Sequence, residues 1–277
     1  MRTFLYILAL LSGSFVSISP VYCASLVFGV APYKKPSELY VIYRPLIEHI
    51  SKSIGKEVDF IVGKSNLDII EKYKTKEIDF GYLDPVTYVR AHRAAGVLPM
   101  LSVTAADDDY LHSVIVVRDT SPVRNLSQLK GQRFAFGDKN STLTHYMPHY
   151  MLLMASLGLS DLQNYQFLGG NDENIALNII NDNFDAGGIS RFTAKNFLEK
   201  GLRIVAESPE MPSGLFVSRN SMSTTDKVKV IAALKSANLT LLQHIIPEAS
   251  VRTERSDRDY DWVRSIVNVV DYSGHDR

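Results

Sequence analysis

The 277-residue chain has a single cysteine, Cys23, and a single tryptophan. One thiol excludes a disulfide framework and any metal site built from several thiolates. Charge of one sign is lacking too. Thirty Lys+Arg balance thirty Asp+Glu, and the basic residues are scattered, so the electrostatic footprint for nucleic acid or an anionic membrane is missing. The short signatures of common enzymes are also absent: there is no G-x-S-x-G elbow, no H-E-x-x-H, no Walker loop and no G-x-G-x-x-G. Neither low-complexity segments nor a fixed-period repeat is found. At 45% hydrophobic and 22% charged residues, the chain has enough apolar side chains to fill about two domain cores.

What is present starts with a leader. Arg2 supplies a positive start, Phe4 to Leu11 is an apolar run of eight, and Ser12 to Pro20 turns small and polar ahead of Val21-Tyr22-Cys23-Ala24. That is the layout of a secretory signal peptide, and the run falls well short of the roughly 20 residues that span a bilayer. Residues 1–24 are read as a signal peptide cleaved after Cys23 or Ala24, which implies a periplasmic protein. Lipid modification of Cys23 is the alternative, one that Pro20 and Tyr22 fit badly.

From Leu26 onward, short apolar runs alternate with helical patterns, the signature of an α/β fold with parallel strands. Strands are expected at 26–31, 58–62, 78–83, 99–103 and 112–117. Ile42, Leu46, Ile47, Ile50 and Ile54 form one face of a helix that Gly55 ends. Asp84-Pro85 is a strong helix start, a capping acid followed by proline. A second block repeats the pattern, with strands at 133–136, 165–168, 185–189 and 202–206. Leu215 to Val217 would rejoin the first block, ahead of helices at 224–246 and 259–269. Polar stretches at 119–132 and 208–212 read as crossings. The expected organisation is therefore one lobe of residues 25–117 plus 214–277 and a second of 118–213. A cleft between such lobes binds small molecules at the C-terminal ends of strands.

The turn Asp138-Lys139-Asn140-Ser141-Thr142-Leu143-Thr144 carries the most chemistry. A hydroxyl-rich turn from a strand into a helix presents backbone N–H groups at the positive end of the helix dipole, where an anion can sit. The competing reading is that Asn140 or Ser141 merely caps the helix. Ser65-Asn66, Asp84 and Asn171-Asp172 are further polar strand-to-helix turns, and their convergence on one cleft would favour a ligand over caps alone. Four or five charge-assisted hydrogen bonds of about 1.5–3 kcal/mol each suffice for micromolar binding, about 8 kcal/mol, after association costs. No cofactor or metal is needed. His145 and His149, with Pro148 between them, lack a third ligand and read as structural, and Asp107-Asp108-Asp109 reads as a solvated loop. Tyr110 can lend a ring and a hydroxyl to a ligand beside a crossing.

Phe28-Gly29-Val30-Ala31-Pro32, Gly81-Tyr82-Leu83-Asp84-Pro85-Val86-Thr87-Tyr88, Tyr110 followed by Ser113 to Val117, Asn140-Ser141-Thr142 and Ser208-Pro209-x-x-Pro212 occur in one order. Together they resemble the phosphate/phosphite/phosphonate substrate-binding proteins of ABC transporters, over about Phe28 to Asn220. The resemblance implies a type II periplasmic-binding-protein fold closing on an oxyanion headgroup. It also implies that Ser141, Thr142 and Tyr110 hold the headgroup oxygens. By the same alignment Asn66 replaces a cleft tyrosine and Asn171 a histidine. Two acids that hold a ligand amine fall at Arg191 and Gly214, which disfavours an aminoalkylphosphonate. Arg191 is then either a binder of a second anionic group or a solvated helix start. The implied function is capture of a small oxyanion for an ABC permease by a monomeric, non-enzymatic protein that binds no nucleic acid. The alternative is a sensory protein presenting its closed form to a membrane histidine kinase.

Overall fold

The computed structural model describes residues 25–105, 110–169, 171–246 and 249–273. The expected leader, 1–24, and Asp107-Asp108-Asp109 lie outside the described residues, as does the Tyr110 side chain. The first elements are β1 (Leu26–Val30), α1 (Pro36–Ile54), β2 (Val58–Val62), α2 (Asn66–Lys74), β3 (Phe80–Leu83), α3 (Pro85–Ala95) and β4 (Leu98–Ala105). Next come β5 (Tyr110–Leu111), β6 (Ser113–Arg118), β7 (Arg133–Phe136), α4 (Met147–Met154), β8 (Asn164–Phe167), α5 (Asp172–Ile180), β9 (Ala186–Ser190), α6 (Arg191–Lys195) and β10 (Leu202–Glu207). The chain closes with β11 (Met211–Pro212), β12 (Leu215–Ser218), α7 (Thr224–Ser236), α8 (Leu239–Gln243), β13 (Ala249–Glu254) and α9 (Asp261–Ser273).

These strands build a six-stranded sheet, β13-β4-β12-β3-β1-β2, and a five-stranded sheet, β10-β6-β9-β7-β8. Between them in sequence, β5 and β11 pair as a short antiparallel ribbon, Met211 opposite Leu111 and Pro212 opposite Tyr110. This is the two-lobed α/β architecture that the strand–helix alternation implies. Its central strands are parallel, β1 with β2 and β3, and β7 with β8 and β9.

The sequence reading places Ser113–Val117 in the first lobe and the crossing after it, whereas β6 lies inside the five-stranded sheet between β9 and β10. Val114 to Val117 are fully buried, as either sheet's centre would require, so the apolar run marks a central strand without saying of which sheet. The polar stretch at 119–132 is accordingly a loop with one 3-10 turn, Leu126–Leu129. The helix expected over 224–246 is broken, because the Asn238 side chain accepts the Thr240 amide and caps α8 afresh.

Three apolar cores hold the layers. Phe28, Tyr43, Phe80 and Phe216 pack together under α1 and α7, and Val114, Val116, Ile175 and Ile179 pack between the second sheet and α5. The third core joins Tyr88 of α3, Tyr146 and Met147 of the α4 region, and Tyr260 and Ile266 near the C-terminus. Each such side chain contributes about 1.5–3 kcal/mol by leaving water. Helix α9 packs on both α3 and α4, straddling elements that follow different sheets. Polar ties reinforce it, with Arg90 paired to Asp271 at 2.7 Å and the Tyr146 hydroxyl donating to the same carboxylate at 2.8 Å.

Candidate functional site

A cavity of about 310 Å³ opens at the C-terminal ends of β1, β3, β7 and β9. Five helical starts each place a residue on its wall. These are Asn66 at the first position of α2, Asp84 capping α3, Ser141 capping a π-helical turn (Thr142–Tyr146), Asn171 capping α5 and Ser190 capping α6. The convergence that sequence alone leaves open is therefore present in the fold.

The Ser141 turn is built by local bonds. The Ser141 amide donates to the Asp138 carbonyl at 2.9 Å, the Asn140 amide to Asp138 Oδ1 at 2.8 Å, and the Gly137 amide to the Thr144 carbonyl at 2.9 Å. A Cβ at Gly137 would collide with the Thr144 side chain, so glycine is what lets the turn close. Ser141 Oγ accepts the Thr144 amide at 3.3 Å, which leaves its own proton to donate. The amides of Thr142 and Leu143, first in the turn, have no intrahelical acceptor by geometry. A hydroxyl proton, free amides and a positive helix end are groups that can hold an anion.

The other expected site residues divide by their surroundings. Asn171 lines the cavity, and because its Oδ1 accepts the Glu173 amide at 2.9 Å, its own amide hydrogens remain for a ligand. Asn66 also lines it, but its amide nitrogen donates to Asp84 Oδ2 at 2.7 Å and to Thr87 Oγ1 at 2.5 Å, so its donors are spent. Thr142 is buried off the wall. The Val86 amide donates to its hydroxyl at 2.9 Å, and that hydroxyl donates to Asp84 Oδ1. Asn140 is off the wall too, its carbonyl accepting the Thr87 hydroxyl at 3.4 Å. Arg191, read as a candidate for a second anion, instead reaches across to β10 and pairs with Glu207 at 2.7 Å. Tyr110 contributes backbone to the ribbon, and its side chain lies outside the described residues.

Three groups that sequence reasoning did not single out also stand on the wall. Lys34, half-buried just past β1, supplies an ammonium that makes no ion pair among the described residues. Its neighbour Tyr33 donates its hydroxyl to Tyr43 at 3.2 Å, and burial pushes the Tyr33 phenol up to about 12. Phe192, on the first turn of α6, stands on the wall although 59% exposed. The position of Tyr33-Lys34 beyond the C-terminal end of a parallel strand was the available signal.

Acids also face the cavity. Burial raises the Asp84 carboxyl above the usual range, against the pull of hydrogen bonds from Thr142 and Thr87. Burial likewise raises Asp172, which accepts the Ser190 amide at 2.8 Å. Both are held by protein donors, and Glu173 adds an exposed carboxylate to the same wall. Among the described residues no group of three or more His, Cys, Asp or Glu could hold a metal ion.

The profile of the family described as "ABC transporter, phosphonate, periplasmic substrate-binding protein" matches residues 28–257. The chain belongs to this family. Among curated members, the phosphonates-binding periplasmic protein of Escherichia coli is 25% identical over 219 residues, 74% of this chain and 64% of that protein. A probable ABC transporter phosphite-binding protein of Prochlorococcus marinus is 26% identical over 191 residues, 65% of this chain and 64% of its own. The matches thus span under two thirds of each relative's length. In fold, the chain superimposes on Prochlorococcus marinus PhnD1, solved in complex with methylphosphonate, with a TM-score of 0.79 at 18% identity, covering 89% of this chain and 98% of that one. A binding-protein component of a Pseudomonas aeruginosa ABC phosphonate transporter gives 0.78 at 18% identity, covering 90% and 87%. The type II periplasmic-binding-protein fold expected from the sequence is the fold of this family member.

Proposed function

We propose that this family member captures a small tetrahedral oxyanion in the periplasm and delivers it to an ABC permease. The observation that carries the reading is the convergence of five helix starts and the Lys34 ammonium on one cavity between the sheets. Positive helix ends and a cation that makes no ion pair among the described residues favour an anion, and no metal is required to hold one. Binding would draw on Ser141, the Leu143 amide, Asn171 and Lys34. The first three stand on the β7 side of the cavity and Lys34 on the β1 side, so a ligand touching both would favour the closed arrangement. The names and titles of relatives that bind phosphonates, phosphite or methylphosphonate support this choice of cargo.

The test is calorimetry and thermal shift with phosphate, phosphite, methylphosphonate, sulfate and arsenate, on the chain and on Lys34→Met. At least one tetrahedral oxyanion is expected to bind and to raise the melting temperature. Loss of a charge-assisted contact worth about 1.5 kcal/mol should weaken that binding about tenfold in Lys34→Met. Silence across the whole panel would refute the reading.

A further inference from the structure

The cavity wall carries more negative charge than an anion site can leave uncompensated. Three carboxylates, Asp84, Asp172 and Glu173, line it against one ammonium, Lys34. A helix start supplies only about half a positive charge, felt within its first turn. An incoming oxyanion therefore meets like charge, and the repulsion grows as water leaves the cavity. A proton on one of the carboxylates relieves it.

Hydrogen bonds decide which one. Asp84 is saturated as an anion. Its Oδ1 accepts the Thr142 hydroxyl and the Thr87 amide, and its Oδ2 accepts the Asn66 side-chain nitrogen and the Thr87 hydroxyl. The Thr87 amide and the Asn66 nitrogen can only donate, so a proton on either oxygen would displace one of them. Glu173 is exposed, and water and salt screen its charge. Asp172 differs from both. Its Oδ2 accepts the Ser190 amide at 2.8 Å, and its other protein partners are the hydroxyls of Ser190 and Thr193, which can turn from donor to acceptor. Burial already raises this carboxyl, against those bonds and the Lys34 ammonium across the cavity. Charges on the elements packed against α5 have other partners: Arg191 has Glu207, Arg118 and Arg133 have Asp182 and Asp185, and Arg203 has the Ser121 and Val123 carbonyls. Lys195 sits in the last turn of α6. Elsewhere on the wall, His244 bonds the Thr240 carbonyl through Nδ1, and burial pushes the Tyr33 and Tyr82 phenols up, which keeps them neutral.

We propose that Asp172 is the proton-carrying contact of the anion site, taking a proton from solvent when the oxyanion enters and returning it when the anion leaves. No bond of the cargo is made or broken. This rests on the oxyanion reading above and adds one residue and one proton to it. The neutral carboxyl can donate a hydrogen bond, whereas the carboxylate can only accept one and repels an anion.

Calorimetry with methylphosphonate, phosphite and sulfate, each in two buffers of different ionisation enthalpy, counts the protons taken up on binding. Comparing the parent with Asp172→Asn cancels the titration of the ligand itself. The parent should take up more protons than the variant. If binding raises the carboxyl by about one unit, the affinity of the parent relative to the variant should improve about tenfold from neutral to acid pH. At about pH 8, where Asp172 is ionised in the free protein, Asp172→Asn should bind at least as tightly as the parent, because its amide keeps an acceptor for Ser190 and adds a permanent donor. Carbon NMR of the aspartate carboxyls in the labelled parent needs no variant, and one midpoint should move up when the binding oxyanion is added. Equal proton counts in parent and variant overturn the inference, whether they are zero or carried by another group such as His244. Carboxyl midpoints that the anion leaves in place overturn it too, and in both cases the oxyanion reading stands. Failure of every oxyanion to bind overturns both.

Discussion

The Thr142 hydroxyl holds the Val86 amide across the cleft at 2.9 Å. Thr142 follows β7 of the five-stranded sheet and Val86 follows β3 of the six-stranded one. The same hydroxyl spends its only proton on Asp84, so it has none left to donate to an oxyanion. The resemblance to phosphonate binders implies a ligand contact at this position. The geometry makes Thr142 a tie between the sheets beside the Ser141 turn.

Thr142→Val keeps the side-chain shape and removes both bonds, stranding a buried amide at a cost of about 1–3 kcal/mol. For a chain of this size the melting temperature of the ligand-free protein should fall by roughly 2–4 °C per kcal/mol. Small-angle scattering should give a larger radius of gyration as the cleft loosens. A variant that matches the parent in both measurements would show that the tie holds nothing.

His145 and His149 stack at 5.6 Å, both buried, and burial holds each imidazole down to about 4. His145 Nδ1 bonds the Lys139 carbonyl at 2.6 Å, steadying the loop before Ser141, whereas His149 Nδ1 has no hydrogen-bond partner. In the unfolded chain these rings protonate near about 6.5. Between that value and about 4 the unfolded state binds more protons, so stability is lost as the pH drops through this window and the loss is complete below it. Raised carboxyls at Asp84 and Asp172 act in the opposite sense, since their protonation on acidification favours the fold. His149→Phe, with Phe136 beside it, should flatten the dependence of unfolding free energy on pH from 6.5 to 4 by up to about 3 kcal/mol. Denaturant titrations that keep the parent's pH slope would remove His149 from this role.

How far the sequence speaks depends on whether the cause is local. Asp84-Pro85 and Gly55 mark helix ends because capping chemistry acts within a few residues, and the structure has both, with Gly55 in the left-handed region at φ 70°. The Ser141 cap is legible for the same reason. Arg191 is not, because its partner Glu207 is sixteen residues away on another strand. Strand β13 escapes notice because it is an edge strand whose buried residue is Ala249, followed by exposed Ser250 and Val251, so no apolar alternation announces it. The assignment of β6 to a sheet depends on partners at β9 and β10, which a buried apolar run cannot name.

Gly214 sits on the cavity wall beside Tyr82, a cavity-lining residue that packs edge-on against Phe216 at 5.3 Å. A Cβ at Gly214 would overlap the Tyr82 hydroxyl and lie 3.0 Å from the Leu83 carbonyl. Space, not backbone strain, therefore keeps this position glycine, and a carboxylate at 214 cannot be installed while Tyr82 keeps its place. Gly214→Ala should cost about 1–3 kcal/mol through overpacking, and Gly214→Asp more, since it also forces a charge against the phenol. If the phenol oxygen is the obstacle, Tyr82→Phe should recover part of the loss. The double mutant would then be more stable than the sum of the single effects by at least about 0.5 kcal/mol. Strict additivity in denaturant unfolding of the four proteins would mean that the two residues do not meet.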